Sequence, residues 1–207
     1  MPHHLKYHCL FVITFFLLPS LYSQNKIKLS IQAGPSITNV FSYWKGQKIR
    51  YKNPEKPLFK TSFHVGGGIS YQISESFYAS GSVVYEKKMS AEGKFNGTTE
   101  SAGHFVGIPI ILGYCPSGLR PGKMSLEFGI FSDYLVYSDI FNNPILYSTR
   151  IEYGFIAGFR VNILNNLSTS FRWNNPVNFI YKETDTPLKS GLAIKTTSIQ
   201  ISFNYEI

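Results

Sequence analysis

A chain of 207 residues with 16% aromatic and 15% charged side chains is too aromatic and too weakly charged for a disordered segment, and its length fits one domain. The net charge of +8 is scattered, with no compact basic helix and no aromatic RNA-binding signature, which argues against a nucleic-acid partner and suits a surface of anionic lipid. Mean hydropathy is -0.05, too low for a bundle of membrane helices, whereas a barrel that alternates wet and oily residues averages to about zero.

The first residues read as a secretory leader. His3, His4, Lys6 and His8 precede an apolar stretch from Cys9 to Leu18, then Pro19 and Leu21-Tyr22-Ser23. A charged start, a short apolar middle and a small residue at the cut form that layout, and the apolar part is too short to span a bilayer. The expected division is a signal peptide over 1–23 and a barrel domain over 24–207. Cys115 is then the one cysteine of the exported part, which excludes an internal disulfide there.

Read for a period of two, the chain offers eight strands. They are Lys26 to Ile37, Lys60 to Gln72, Phe77 to Glu86, His104 to Tyr114, Lys123 to Asp133, Arg150 to Leu164, Leu167 to Trp173 and Ser198 to Ile207. The last is the cleanest. Ile199, Ile201, Phe203, Tyr205 and Ile207 share one face, and Ser198, Gln200, Ser202, Asn204 and Glu206 share the other. Long connections are expected at Thr38 to Phe59, Lys87 to Gly103, Tyr134 to Thr149 and Asn174 to Lys189. Short ones are expected at Ile73 to Ser76, Cys115 to Gly122 and Asn165-Asn166. An even strand count with alternating long and short connections predicts an all-β, eight-stranded antiparallel up-and-down transmembrane barrel, with long loops outside and both chain ends in the periplasm.

Period alone leaves a soluble barrel open, because it does not say which face meets water. Three features favour lipid. The polar faces carry small residues such as Gly66, Gly68, Ser80 and Gly158, which suit a crowded interior. Arg150, Glu152 and Arg160 share the polar face of the sixth strand, as in a buried ion network. Aromatics such as Phe63, Tyr71, Tyr114, Tyr153 and Tyr205 stand near strand ends, where an aromatic girdle sits.

FHVGGGISY (Phe63 to Tyr71), followed by FYASGSVVYEKK, resembles the second hairpin of the outer-membrane barrel domain common in Bacteroidetes and grouped as PorT-like. FVGIPIILGY (Phe105 to Tyr114) is similar to that family's fourth strand, and FRWNNPVNF (Phe171 to Phe179) to its seventh strand and loop. The resemblance covers essentially the whole exported part and implies fold and location rather than chemistry. Gly107 stands where an acidic residue often precedes the Ile-Pro pair, and the chain ends in Ile207 rather than an aromatic. Pro109 cannot donate to a ladder, and a bulge is the expected accommodation.

No enzyme motif, metal-ligand spacing or cofactor signature emerges. The interior set Glu127, Arg150, Glu152, Arg160 and Arg172 is expected to form mutual ion pairs, Glu127 or Glu152 with Arg150 or Arg160, inside a barrel just wide enough to be filled by side chains. Trp44, Lys45, Lys48 and Arg50 in the first long connection form a possible interaction surface for an acidic glycan or lipid phosphate. The expected role is a non-enzymatic scaffold acting through external loops. The alternatives are a secretion-accessory barrel, a small solute channel and, last, a lipid-modifying enzyme. Expected partners are outer-membrane lipid and lipopolysaccharide, the assembly machinery during biogenesis, and a surface ligand or protein.

Overall fold

The computed structural model describes residues 26–44, 47–48, 59–94, 97–116, 123–138, 150–179, 181–182 and 192–207. The expected leader lies outside them. Eight long strands make the wall: β1 (Ile27–Trp44), β2 (Phe59–Gln72), β3 (Phe77–Lys94), β4 (Gly97–Tyr114), β5 (Met124–Ser138), β6 (Ile151–Asn162), β7 (Leu167–Pro176) and β8 (Leu192–Glu206). Each pairs antiparallel with the next, and β8 returns to β1 from Ser30↔Glu206 up to Trp44↔Leu192. Closure leaves no sheet edge, the condition for a strand to cross lipid. Two-residue pieces, Gln47–Lys48 and Tyr181–Lys182, extend the ladder beside the ends of β1 and β8.

The pairing spirals. From Lys28 it passes through Ser70, Ser80, Ile111, Gly129, Ile156, Asn174 and Ser198 and returns to β1 at Thr38, ten residues higher. That offset requires tilted strands, as in any closed barrel of this size.

The oily face points outward. Ile130 is 54% exposed and Phe155 61%, and they belong to a belt that includes Val65, Ile69, Val83, Ile108, Ile110, Phe128 and Phe203. An apolar belt this continuous has no place in water, and it settles which side meets the solvent. Tyr71, Phe77, Tyr114 and Tyr205 ring the short-turn end, with the Phe77 and Tyr114 rings 5.0 Å apart. Phe63, Tyr85, Tyr134 and Tyr153 ring the other end. Amphipathic rings favour the two membrane–water boundaries.

Several strand ends reach further than the sequence expectation. β3 and β4 run through the expected long connection Lys87 to Gly103 and pair from Lys88↔Gly103 up to Lys94↔Gly97. β2 stops pairing with β3 at His64↔Glu86, and β5 stops pairing with β4 at Gly103↔Ser138, so β3 and β4 rise as a two-stranded ribbon above the wall. β1 and β8 likewise continue to Trp44 and Leu192. The ladder of β3 and β4 is interrupted opposite Pro109, between Gly81↔Ile110 and Val84↔Gly107, yet the register is the same on both sides. The proline therefore costs ladder bonds without a bulge. The bulge lies in β5 instead, where Val136 is skipped between Phe105↔Leu135 and His104↔Tyr137, and Val136 and Tyr137 both face outward.

Candidate functional site: the charged interior

The inward phase of each strand brings polar and charged side chains into the lumen, away from the apolar outer belt. They sort into two layers.

The lower layer lies toward the short turns, because Tyr78 and Glu127 are near the starts of β3 and β5 and Arg160 is near the end of β6. Its centre is Glu127, fully buried. Arg160 Nε donates to Glu127 Oε1 at 2.9 Å, and Arg172 Nε donates to Glu127 Oε2 at 2.6 Å. The Tyr78 hydroxyl donates to Glu127 Oε1 at 2.7 Å and stands 3.1 Å from Ser125 Oγ. Arg172 Nη1 reaches Gln32 Oε1 at 3.1 Å, and the Arg160 guanidinium lies 5.3 Å from the centre of the Tyr78 ring. Gly113 makes this possible: a Cβ there would strike the Tyr78 ring. At the mouth, Lys28 pairs with Glu206 at 2.7 Å, and Arg160 Nη1 lies 3.5 Å from Glu206 Oε1.

The upper layer is built on Lys88. Its ammonium donates to Asp133 Oδ2 at 2.8 Å and Glu152 Oε2 at 2.5 Å, and Glu86 Oε2 lies 3.9 Å away. The Thr196 hydroxyl donates to Glu152 Oε1. The ammonium also sits 4.5 Å from the centre of the Phe105 ring. Gly107 leaves room for the Asp133 carboxylate, which a Cβ would meet head-on. Between the layers Ile111, Phe131 and Ile156 form a small apolar cluster.

The structure brings together Glu127, Arg160 and Arg172 of the expected set. Glu152 is buried, but its cation is Lys88 rather than an arginine. Arg150 is corrected: it is exposed just before β6, with Nη1 3.5 Å from the Tyr134 hydroxyl, and takes no part in the interior. Lys88 was missed because the third strand was ended at Glu86; carrying the period two residues further puts Lys88 inside. Asp133 and Tyr78 share the inward phase of their strands but were not joined to the network. Trp44 and Lys48 lie in ladder segments, Trp44↔Gln47 and Tyr43↔Lys48, while Lys45 and Arg50 lie outside the described residues.

A histidine–serine pair does occur: a His64 ring nitrogen, Nε2, lies 2.7 Å from Ser202 Oγ. Both are buried in the lumen, at 1% and 0% exposure, so no lipid substrate reaches them. Cys115 lies just past β4, its amide bonded to the Ser76 carbonyl at 2.8 Å. Burial pushes its thiol up, against the pull of Arg160, which makes it a poor nucleophile.

No family model matches the chain, and no curated protein matches it. Among solved structures, the outer membrane protein OprG from Pseudomonas aeruginosa is 12% identical, with 87% of this chain and 95% of that chain covered and a TM-score of 0.47. Neisserial surface protein A is 10% identical, with 86% and 97% covered and a TM-score of 0.48. Ail of Yersinia pestis, solved with the heparin analogue sucrose octasulfate, is 12% identical, with 87% and 99% covered and a TM-score of 0.43. No residue role is carried over from them. The chain itself is an eight-stranded transmembrane barrel.

Proposed function

We propose that the protein is an exported outer-membrane barrel of a Gram-negative envelope, with both ends in the periplasm, and that its role is non-enzymatic. The barrel is a scaffold that holds its long connections at the outer surface. The observation that carries this reading is the filled interior. Among the described residues, two ion-paired layers and an apolar cluster fill the middle of the lumen; a hollow of about 160 Å³ opens at the short-turn mouth below them, and the space between the layers is a cavity of about 10 Å³, room for about one water. A lumen of this kind gives rigidity rather than a route for solutes.

The partners in this reading are lipid and lipopolysaccharide along the belt, the assembly machinery during biogenesis, and a surface ligand or protein at the long-connection end. The basic and aromatic run Trp44, Lys45, Lys48 and Arg50 supports an anionic ligand there, an acidic glycan or a lipid phosphate. The resemblance of FHVGGGISY and FVGIPIILGY to PorT-like barrels supports membership of that group and keeps a secretion-accessory role as its finer form.

The test combines two measurements on detergent-folded protein. An unheated sample is expected to migrate apart from a boiled one on a gel, and the same sample in planar bilayers is expected to show no steady conductance. A steady, ohmic current from correctly folded barrels would contradict the scaffold reading and favour a channel.

A further inference from the structure

The outer wall at the long-connection end carries a row of basic and aromatic side chains that the interior does not use. Lys87 on β3 stands directly opposite His104 on β4, and His104 stands opposite Tyr137 on β5. All three face outward, Lys87 and His104 half-buried and Tyr137 exposed. One strand further, the Leu135 amide donates to the Arg150 carbonyl at 2.7 Å, which sets Arg150 at nearly the same height, and its guanidinium reaches the Tyr134 hydroxyl at 3.5 Å. Val106, the next outward residue below His104, belongs to the apolar belt. The row therefore lies where hydrocarbon gives way to headgroups.

Three observations make this row a site. The first is orientation. The Tyr85 hydroxyl lies 2.5 Å from His104 Nδ1, and the rings of Phe63, Tyr85, His104 and Tyr137 follow one another at 5.9, 6.0 and 5.6 Å. A phenol that donates to Nδ1 leaves the imidazole proton on Nε2, which meets no acceptor among the described residues. The second is charge. Among the described residues Lys87 has no ion-pair partner, and the described carboxylates nearest this end, Glu86, Asp133 and Glu152, are buried in the lumen. Two basic side chains directly opposite one another add nothing to a ladder by themselves, whereas an anion shared between them does. The third is spacing. Neighbouring strands lie about 4.8 Å apart, so Arg150 stands on the order of 10 Å along the wall from the Lys87–His104 pair, a gap that a disaccharide bridges.

We propose that Lys87, His104 and Arg150 form a site on the outer wall for a phosphorylated glycolipid of the outer leaflet. Lys87 Nζ and His104 Nε2 hold one phosphate, Arg150 holds a second on the neighbouring sugar, and Tyr137 lies beside the sugar between them. Tyr85 is a positioning residue that turns the imidazole toward the lipid. A phosphate takes several charge-assisted hydrogen bonds at once, and basic side chains at headgroup depth are placed to supply them. The proposal rests on the reading that this end lies in the outer leaflet, and deepens it from lipid contact along the belt to one defined lipid site.

Native mass spectrometry of the detergent-folded barrel tests it, with titrations of lipid A carrying two phosphates, lipid A carrying one, and phosphatidylglycerol. Wild type is expected to hold one lipid A in preference to phosphatidylglycerol, the two-phosphate form more tightly. Lys87→Gln combined with His104→Gln is expected to weaken binding of either lipid A by roughly tenfold or more. Tyr85→Phe is expected to weaken it less, and to add nothing once His104→Gln is present, because it acts through that ring. Arg150→Gln is expected to bind the two forms alike. Lys28→Gln, at the opposite mouth, is expected to match wild type. A double variant that keeps its heat-shifted gel band and binds lipid A as wild type does overturns the proposal. So does a wild-type barrel that takes phosphatidylglycerol as readily, since that is the behaviour of a charged rim. An advantage of two phosphates that survives Arg150→Gln removes Arg150 from the site. If the double variant yields no folded band, Lys87→Gln alone carries the test, and unchanged affinity there is equally decisive. The gel shift and the conductance are measured without lipid A, so a folded, silent barrel that ignores lipid A loses this site and keeps the scaffold reading.

Discussion

Replacing Lys88 by Met is expected to be the most damaging single change in the barrel. The ammonium is the only cation within 4 Å of Glu86, Asp133 and Glu152 among the described residues. Its loss leaves three carboxylates facing one another, all nearly or fully buried. Breaking a buried pair by removing one partner costs about 3–5 kcal/mol, because the stranded charge has neither water nor counter-ion. The midpoint of urea unfolding, followed by the heat-shifted gel band in detergent micelles, should fall accordingly. A double variant, Lys88→Met with Glu152→Gln, should recover part of the loss by deleting one of the repelling charges. Lys28→Met supplies the contrast: that pair with Glu206 lies at the open mouth with Lys28 half exposed, and removing it should move the midpoint by less than about 1 kcal/mol. Equal midpoints for Lys88→Met and wild type would show that the upper layer holds nothing together.

The second large effect is on the opposite face. Ile130 stands outward in the middle of β5, opposite Ile110 on β4, well inside the belt between the two aromatic rings. Ile130→Arg should destabilise the barrel in lipid by about 2–4 kcal/mol, because a guanidinium there must leave water or drag water in with it. Tyr153→Arg, close to the upper boundary where the headgroups begin, should cost about 0–1 kcal/mol by the same depth rule. Refolding into liposomes across a urea series reads both. If Ile130→Arg were as mild as Tyr153→Arg, the outward face of β5 would not be in hydrocarbon.

Much of this architecture is visible in the chain, for a physical reason. A closed barrel in lipid has a solvent rule that repeats every two residues with no exception inside the wall, and strands β2, β6, β7 and β8 obey it so closely that their inward and outward residues can be read off directly. Boundaries were less legible. Above the wall lipid no longer demands an oily face, so the alternation loses its cause and a strand such as β3 from Lys87 to Lys94 looks like a loop. The interior network was legible by residue type and not by partner. Glu127, Arg160 and Arg172 were in phase and did meet, but pairing across three strands depends on tilt and offset, which the sequence of one strand does not carry. Glu152 found a lysine that the sequence reading had assigned to a connection. Arg150 sat one residue before its strand and turned outward. Two of the inward glycines take their meaning only from neighbouring strands: Gly107 makes way for Asp133, and Gly113 for Tyr78.

The most direct test of the central claim, lipid outside and a packed polar lumen inside, is a single-cysteine scan along β8. Cys9 and Cys115 are first replaced by Ser, and cysteines are then placed one at a time from Ile199 to Asn204. Each is spin-labelled in liposomes and exposed to oxygen, which concentrates in hydrocarbon, and to a water-soluble nickel chelate. Labels at 199, 201 and 203 should relax with oxygen, while labels at 200, 202 and 204 should respond weakly to both. The opposite phase, or a flat profile along the strand, would contradict the barrel described above.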